Sequence, residues 1–115
     1  MNPFANNWAR ASDSEWLTTL IHSAEGEPIE EVSFPAFPAV ETQRYVHGSS
    51  SNEASIRGAY RFYVEVRRAA QEAGRDFDPS RIFLDFGTGW GRIVRPFLRD
   101  FNLANIFAVE PDPKL

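Results

Sequence analysis

The 115-residue sequence contains no cysteine, which excludes disulfide bonds, thiolate metal sites and cysteine nucleophiles. It has two histidines, His22 and His47, and neither belongs to the helical H-E-x-x-H pattern of zinc enzymes. No apolar run approaches the roughly 20 residues of a membrane-spanning helix, and no apolar core of a secretory signal follows Met1. These absences favour a cytoplasmic protein without a metal site or a membrane partner.

A large excess of one charge is also missing. The 12 basic residues are outnumbered by 16 acidic ones, for a formal net charge of −4, so nucleic acid is not an expected partner. The cluster of arginines at positions 57, 61, 67 and 68 is interleaved with Glu53, Glu65 and Glu72, which is typical of a solvent-facing helix. The length corresponds to one domain or less.

The first 80 residues carry mainly helical signals and are predicted to form an N-terminal extension or lid segment. Residues 1–11 are predicted to be irregular. Ser12 with Glu15 predicts a capping box, and the helix that it opens should stop at Gly26. A proline-rich connector over 27–40 is expected to be extended.

A longer helix is predicted over 53–73, behind a polar loop at 48–52. Apolar residues recur there at spacings of three and four, and Gly74 follows. The aromatic side chains of Tyr60 and Tyr63 should belong to the core. Tyr45 and His47 are interpreted as ordinary loop residues, with a lid role as the alternative.

The spacing of apolar residues changes at residue 81, from a helical period to short continuous runs. Residues 81–86 form a short apolar run typical of a buried parallel strand, and 106–110 form a second one. Between them, 91–101 has the apolar spacing of a helix that Pro96 should kink. The predicted fold class is α/β, with one β-α-β unit over 81–115 behind the helical segment.

Three alternate glycines, Gly87, Gly89 and Gly91, follow the first predicted strand. Such a strand-to-helix turn lets the backbone approach a ligand. The dinucleotide pattern G-x-G-x-x-G would need a third glycine where Arg92 stands, and the Gly-Lys-Ser/Thr of a P-loop is absent.

Two carboxylates flank this turn. Asp85 would repel a pyrophosphate and favour a cationic ligand with an amino group, such as S-adenosylmethionine (SAM), whose carboxylate could use the helix N-terminus. Glu110 stands 19 residues after Gly91, where an acidic side chain can accept hydrogen bonds from ribose hydroxyls.

With these features the chain resembles the class I SAM-dependent methyltransferases. The match covers their first motif, here residues 84–92 (LDFGTGWGR), and the acidic end of their second strand, here 109–112 (VEPD). It implies an incomplete Rossmann-like fold, with SAM as cofactor. The cofactor-binding residues that it implies are Asp85 for the amino group, Gly87, Thr88, Gly89, Trp90 and Gly91 for the methionyl and ribose parts, Glu110 for the ribose and Pro111 near the adenine. Residues 44–63 are similar to a cofactor-covering segment in one bacterial subgroup of these enzymes.

Simpler interpretations stay open at each of these positions. The glycines could form a tight turn without a ligand, Asp85 could cap a helix or join an ion pair, and Glu110 could be a surface carboxylate. Trp90 suits the core as well as a ligand wall, and Arg92 suits a structural ion pair better than a carboxylate clamp. A non-enzymatic remnant or interaction module is the alternative function, and an NAD-dependent oxidoreductase is disfavoured by Arg92 and Asp85.

The sequence carries no sign of the methyl acceptor or of a catalytic base. In the family these residues come from later strands, so we expect an N-terminal portion of such an enzyme, inactive alone. The first strand would have one neighbour only, and its open edge could support self-association.

Overall fold

The computed structural model describes residues 2–114. Within them the chain forms helices α1 (Pro3–Trp8), α2 (Asp13–His22), α3 (Val40–His47) and α4 (Asn52–Glu72), then strands β1 (Phe83–Phe86) and β2 (Ile106–Val109). Short 3-10 helices cover Ser23–Glu25, Arg95–Arg99 and Leu103–Asn105. The chain is therefore mixed α/β, as its sequence predicts.

Two of the predicted helices are confirmed, together with their ends. The Ser12 hydroxyl accepts a hydrogen bond from the Glu15 amide at 3.1 Å and opens α2, which a 3-10 turn extends to Gly26. Ser51 caps α4 in the same way, and this helix ends at Glu72, one residue before the predicted end.

The prediction of an irregular N-terminus is wrong, because residues 3–8 form α1. Asn2 caps this helix through its side-chain oxygen, while its side-chain amide donates to the carbonyls of Leu98 and Phe101, both at 2.7 Å. These long-range bonds hold a helix that is too short to be stable alone.

The interpretation of Tyr45 and His47 as loop residues is also wrong, since both lie in α3. This helix follows the proline-rich connector directly and ends at Gly48, whose φ of 77° closes it in the left-handed conformation.

The predicted α-helix over 91–101 does not form. Turns continue to Val94, and a 3-10 helix covers Arg95–Arg99 with Pro96 in its first turn, where the missing N–H costs no helical hydrogen bond. Gly91, with a φ of 90°, cannot continue a right-handed helix. Gly91 at the start and Pro96 in the middle therefore both oppose an α-helix over 91–101.

The two strands are parallel, with Phe83 opposite Ile106 and Phe86 opposite Val109. Within residues 2–114 this sheet has two strands, so the outer edge of each is unpaired. The expectation that β1 is buried is wrong, because only the face with Phe83 and Ile106 packs against the core. Large apolar side chains are exposed on the other face: Ile82, Leu84, Phe86, Phe107 and Val109.

The core is rich in aromatic side chains and draws on both sides of residue 80. Trp16, Tyr63 and Phe97 are fully buried. The Trp16 indole donates to the Pro96 carbonyl at 2.9 Å, and the Tyr63 ring meets Phe97 edge-on at 5.0 Å. The predicted core position of Tyr60 and Tyr63 is confirmed. The helical segment and the strand-loop segment thus bury one another. Among the described residues, no helix is both long and apolar enough to cross a bilayer.

Candidate functional site

The loop after β1 has a backbone that needs its glycines. Gly87, Gly89 and Gly91 have φ values of 79°, 57° and 90°, in the left-handed region where a side chain is strained. The alternate spacing of the glycines therefore has a conformational cause. We call residues 87–91 the glycine loop.

The glycine loop is held to the end of β2 by hydrogen bonds. The amides of Gly87 and Thr88 both donate to the Val109 carbonyl, at 2.7 and 3.1 Å. The Glu110 carboxylate accepts from the Gly89 amide at 2.8 Å and, through its other oxygen, from the Asp112 amide at 2.7 Å. The structure thus brings together the glycines and the acidic strand end that the sequence singled out.

Two oxygens of this region are buried without a partner among the described residues. They are Oδ2 of Asp85 and Oγ1 of Thr88. Asp85 neither caps a helix nor forms an ion pair within residues 2–114, so neither simpler interpretation of it is observed. A buried polar atom without a hydrogen bond costs about 1–3 kcal/mol, which needs a reason in a folded protein.

Trp90 contacts the segment before α4. Its ring lies 4.9 Å from the Phe37 ring, and its indole N–H donates to Nε2 of His47 at 3.2 Å. Nδ1 of His47 lies 2.8 Å from the Ser49 hydroxyl. The only signal for this contact in the sequence was the weak similarity of 44–63 to a covering segment.

Val46 also approaches the loop from α3. A Cβ added at Gly89 would lie 3.4 Å from Cγ1 of Val46. A side chain at position 89 would thus be strained by the left-handed φ, whereas its Cβ would be in ordinary van der Waals contact with Val46.

Arg95 is a functional-site candidate that sequence reasoning missed. It is 4 % exposed, and its guanidinium lies 4.7 Å from the Phe37 ring centroid and 5.0 Å from that of Trp90. It donates to the Pro35 carbonyl at 2.6 Å. Burial lowers the pKa of Arg95 to about 10, which leaves it positively charged at neutral pH.

Arg92 makes a different contact from the predicted ion pair. Its guanidinium donates to the Ser55 carbonyl in α4 at 3.2 Å. A Cβ at Gly58 would come within 3.3 Å of the same group, so this glycine makes room for the arginine. Arg92 thereby fastens the end of the glycine loop to α4.

The segment after β2 borders an open cleft. Pro111 is exposed, and the Tyr45 hydroxyl lies 3.5 Å from Oδ2 of Asp112. A cleft of about 380 Å³ is lined there by Glu41, Thr42, Tyr45 and Lys114. A second cleft, of about 580 Å³, lies along α1 and α2 and contains no residue of the glycine loop.

No group of three metal-ligating side chains is found together in residues 2–114. Comparison of the chain with protein-family models, with curated protein sequences and with solved structures gives no significant match.

Proposed function

We propose that residues 81–115 bind S-adenosylmethionine and serve as the cofactor-binding part of a class I SAM-dependent methyltransferase. The observation that carries this proposal is the pair of unpartnered buried oxygens on Asp85 and Thr88, next to a backbone that only glycine adopts easily. A ligand with an ammonium group would satisfy the Asp85 oxygen.

The residues present suit the parts of this cofactor. Asp85 would hold the α-ammonium group, and Thr88 offers a hydroxyl close to the loop backbone. The Glu110 oxygens each accept one backbone amide and keep a lone pair for a ribose hydroxyl. Pro111 would lie near the adenine.

The expected helix N-terminus for the ligand carboxylate is not formed, because turns follow the glycine loop. The positive charge available to the ligand carboxylate near the glycine loop is instead that of the guanidinium groups of Arg92 and Arg95, which follow the loop in the sequence. When bound, SAM supplies an electrophilic methyl group on a sulfonium. The residues of this chain bind and orient it, and the acceptor lies outside the proposal.

Titration calorimetry of the 115-residue chain with SAM tests the proposal. We expect saturable binding that Asp85→Asn weakens by about 1–3 kcal/mol, the usual cost of losing a charged hydrogen-bond partner. Asp76→Asn is the matched control, since it makes the same change at an exposed position. SAM affinity that is equal in both variants would contradict the assignment of Asp85.

Competition with NAD and S-adenosylhomocysteine separates the alternatives. Tighter binding of NAD than of SAM would replace the proposal with an oxidoreductase. Absence of binding by all three ligands would favour an interaction module.

A further inference from the structure

His47 connects α3 with the glycine loop through one hydrogen bond. An indole nitrogen is only a donor, so Nε2 of His47 accepts from Trp90 and carries no proton. The proton of the neutral ring is then on Nδ1, where it can be donated to the Ser49 hydroxyl. The contact requires the neutral ring in this tautomer.

The surroundings of His47 disfavour its protonation. Arg92 brings positive charge from the loop side, Arg95 lies 5.0 Å from the ring centroid of its partner Trp90, and Arg44 stands one turn earlier in α3. The hydrogen-bond partners of His47 among the described residues include no carboxylate. Burial, and then the charge of Arg92, lower the pKa of His47 below its ordinary value of 6.5.

Protonation would place two N–H donors against each other. The pair would lose its hydrogen bond, and the new imidazolium charge would be repelled by Arg92. Gly48, which has a φ of 77° and no atom near the place of a Cβ, lies directly after His47 and can absorb a change in direction of α3.

We infer that His47 is a positioning residue for the glycine loop, holding Trp90 when neutral and releasing it when protonated. Its effect on cofactor affinity rests on the proposed function. The release of Trp90 does not, so the two can be tested separately.

The release is tested by nuclear magnetic resonance of the indole N–H groups, with Trp90 assigned from a Trp90→Phe variant. We expect the Trp90 signal to shift between about pH 8 and about pH 5, with a midpoint below 6.5. The Trp16 indole, bonded to a backbone carbonyl, should not move.

Variants of the two histidines make the assignment specific. His47→Gln keeps an acceptor for Trp90 but cannot be protonated, so its Trp90 signal should stay in the bonded position at both pH values. His22→Gln, at an exposed position, should behave as the wild type. A Trp90 signal that does not change in the wild type, or one that still titrates in His47→Gln, would overturn the inference.

Calorimetry with SAM tests the consequence for the site. If only the neutral form is competent, affinity should be about tenfold weaker one pH unit below the midpoint. SAM itself also titrates, but this affects both proteins equally, so dividing the wild-type affinity by the His47→Gln affinity at each pH cancels it. If Trp90 titrates but SAM affinity follows the same course in both proteins, the positioning role is wrong. If Trp90 titrates and SAM does not bind at any pH, the proposed function fails while the release of Trp90 stands.

Discussion

At the scale of single residues, Glu110 has a structural task besides the ribose contact proposed for it. Its carboxylate accepts one amide from the glycine loop and one from the segment after β2. A glutamine at this position has one acceptor oxygen, so one of the two amides would lose its partner. We expect Glu110→Gln to lower the free energy of unfolding by about 1 kcal/mol.

Urea unfolding and amide hydrogen exchange measure this effect, with exchange at Gly89 or Asp112 expected to speed up. Glu27→Gln, at an exposed position, is the control for the loss of one negative charge. Equal stability of the two variants would mean that Glu110 does not hold the loop.

The sequence predicts where Glu110 lies better than what it contacts. Parallel strands end at the same edge of a sheet, so Asp85, the glycines and Glu110 could be expected to meet there. The Glu110–Gly89 bond depends on the left-handed backbone of the glycine loop, which glycine permits but does not require, and no sequence pattern indicates the unpartnered Asp85 oxygen.

At the scale of elements, the turn between Ile29 and Val32 is strained. These two residues exchange backbone hydrogen bonds at 2.9 Å in both directions, and the two residues between them, Glu30 and Glu31, have φ values of 49° and 65°. A two-residue hairpin of this kind favours Asn-Gly over two glutamates. We expect Glu30→Asn combined with Glu31→Gly to raise the free energy of unfolding by about 1 kcal/mol.

Thermal and urea unfolding measure the gain. The double variant Glu30→Gln/Glu31→Gln removes the same charges and keeps the strain, so it should stay near the wild type. A gain of the same size in the glutamine variant would assign the effect to charge and contradict the strain.

Elements with a complete local signal are the ones that the sequence predicts. Helix α4 has a cap, a long apolar period and a terminal glycine, and it forms one residue away from the predicted bounds. Helix α1 is held through Asn2 by carbonyls almost 100 positions away, which no local pattern contains. Residues 91–101 have a helical apolar period, but Gly91 and Pro96 leave only a 3-10 helix.

At the scale of the whole molecule, an ionic network joins α2, α4 and the 3-10 helix Arg95–Arg99. Asp13 of α2 accepts from Arg67 of α4 at 2.6 Å and from Arg99 of the 3-10 helix at 2.8 Å. Tyr60 adds a hydrogen bond to Asp13 at 3.0 Å, and Tyr63 donates to Asp100 at 2.7 Å. The charge pattern predicts a solvent-facing Arg67 instead, because its partner Asp13 lies 54 positions away in the sequence.

The network makes the free energy of unfolding depend on pH in the acidic range. The hydrogen bond from Arg67 holds the pKa of Asp13 well below its ordinary value of 3.8, so its contribution is complete above that value and is lost as the pH falls further. Burial raises the pKa of Asp100, which acts in the opposite direction above 3.8, so its contribution to stability increases as the pH falls from neutral, before the loss from Asp13 begins. The loss from Asp13 is therefore partly offset in the wild type.

Asp13→Asn should remove most of this acid-dependent loss. Because Arg99 is almost buried while Asp13 is half exposed, we expect the variant to lower the free energy of unfolding by about 2 kcal/mol at neutral pH. Below the ordinary pKa of an aspartate the gap to the wild type should narrow. Urea unfolding at neutral pH and at a pH below 3.8 measures this gap in the free energy of unfolding, with the exposed Asp76→Asn as control. A gap that stays constant with pH would mean that the Asp13 charge does not contribute, and that the variant acts through packing alone.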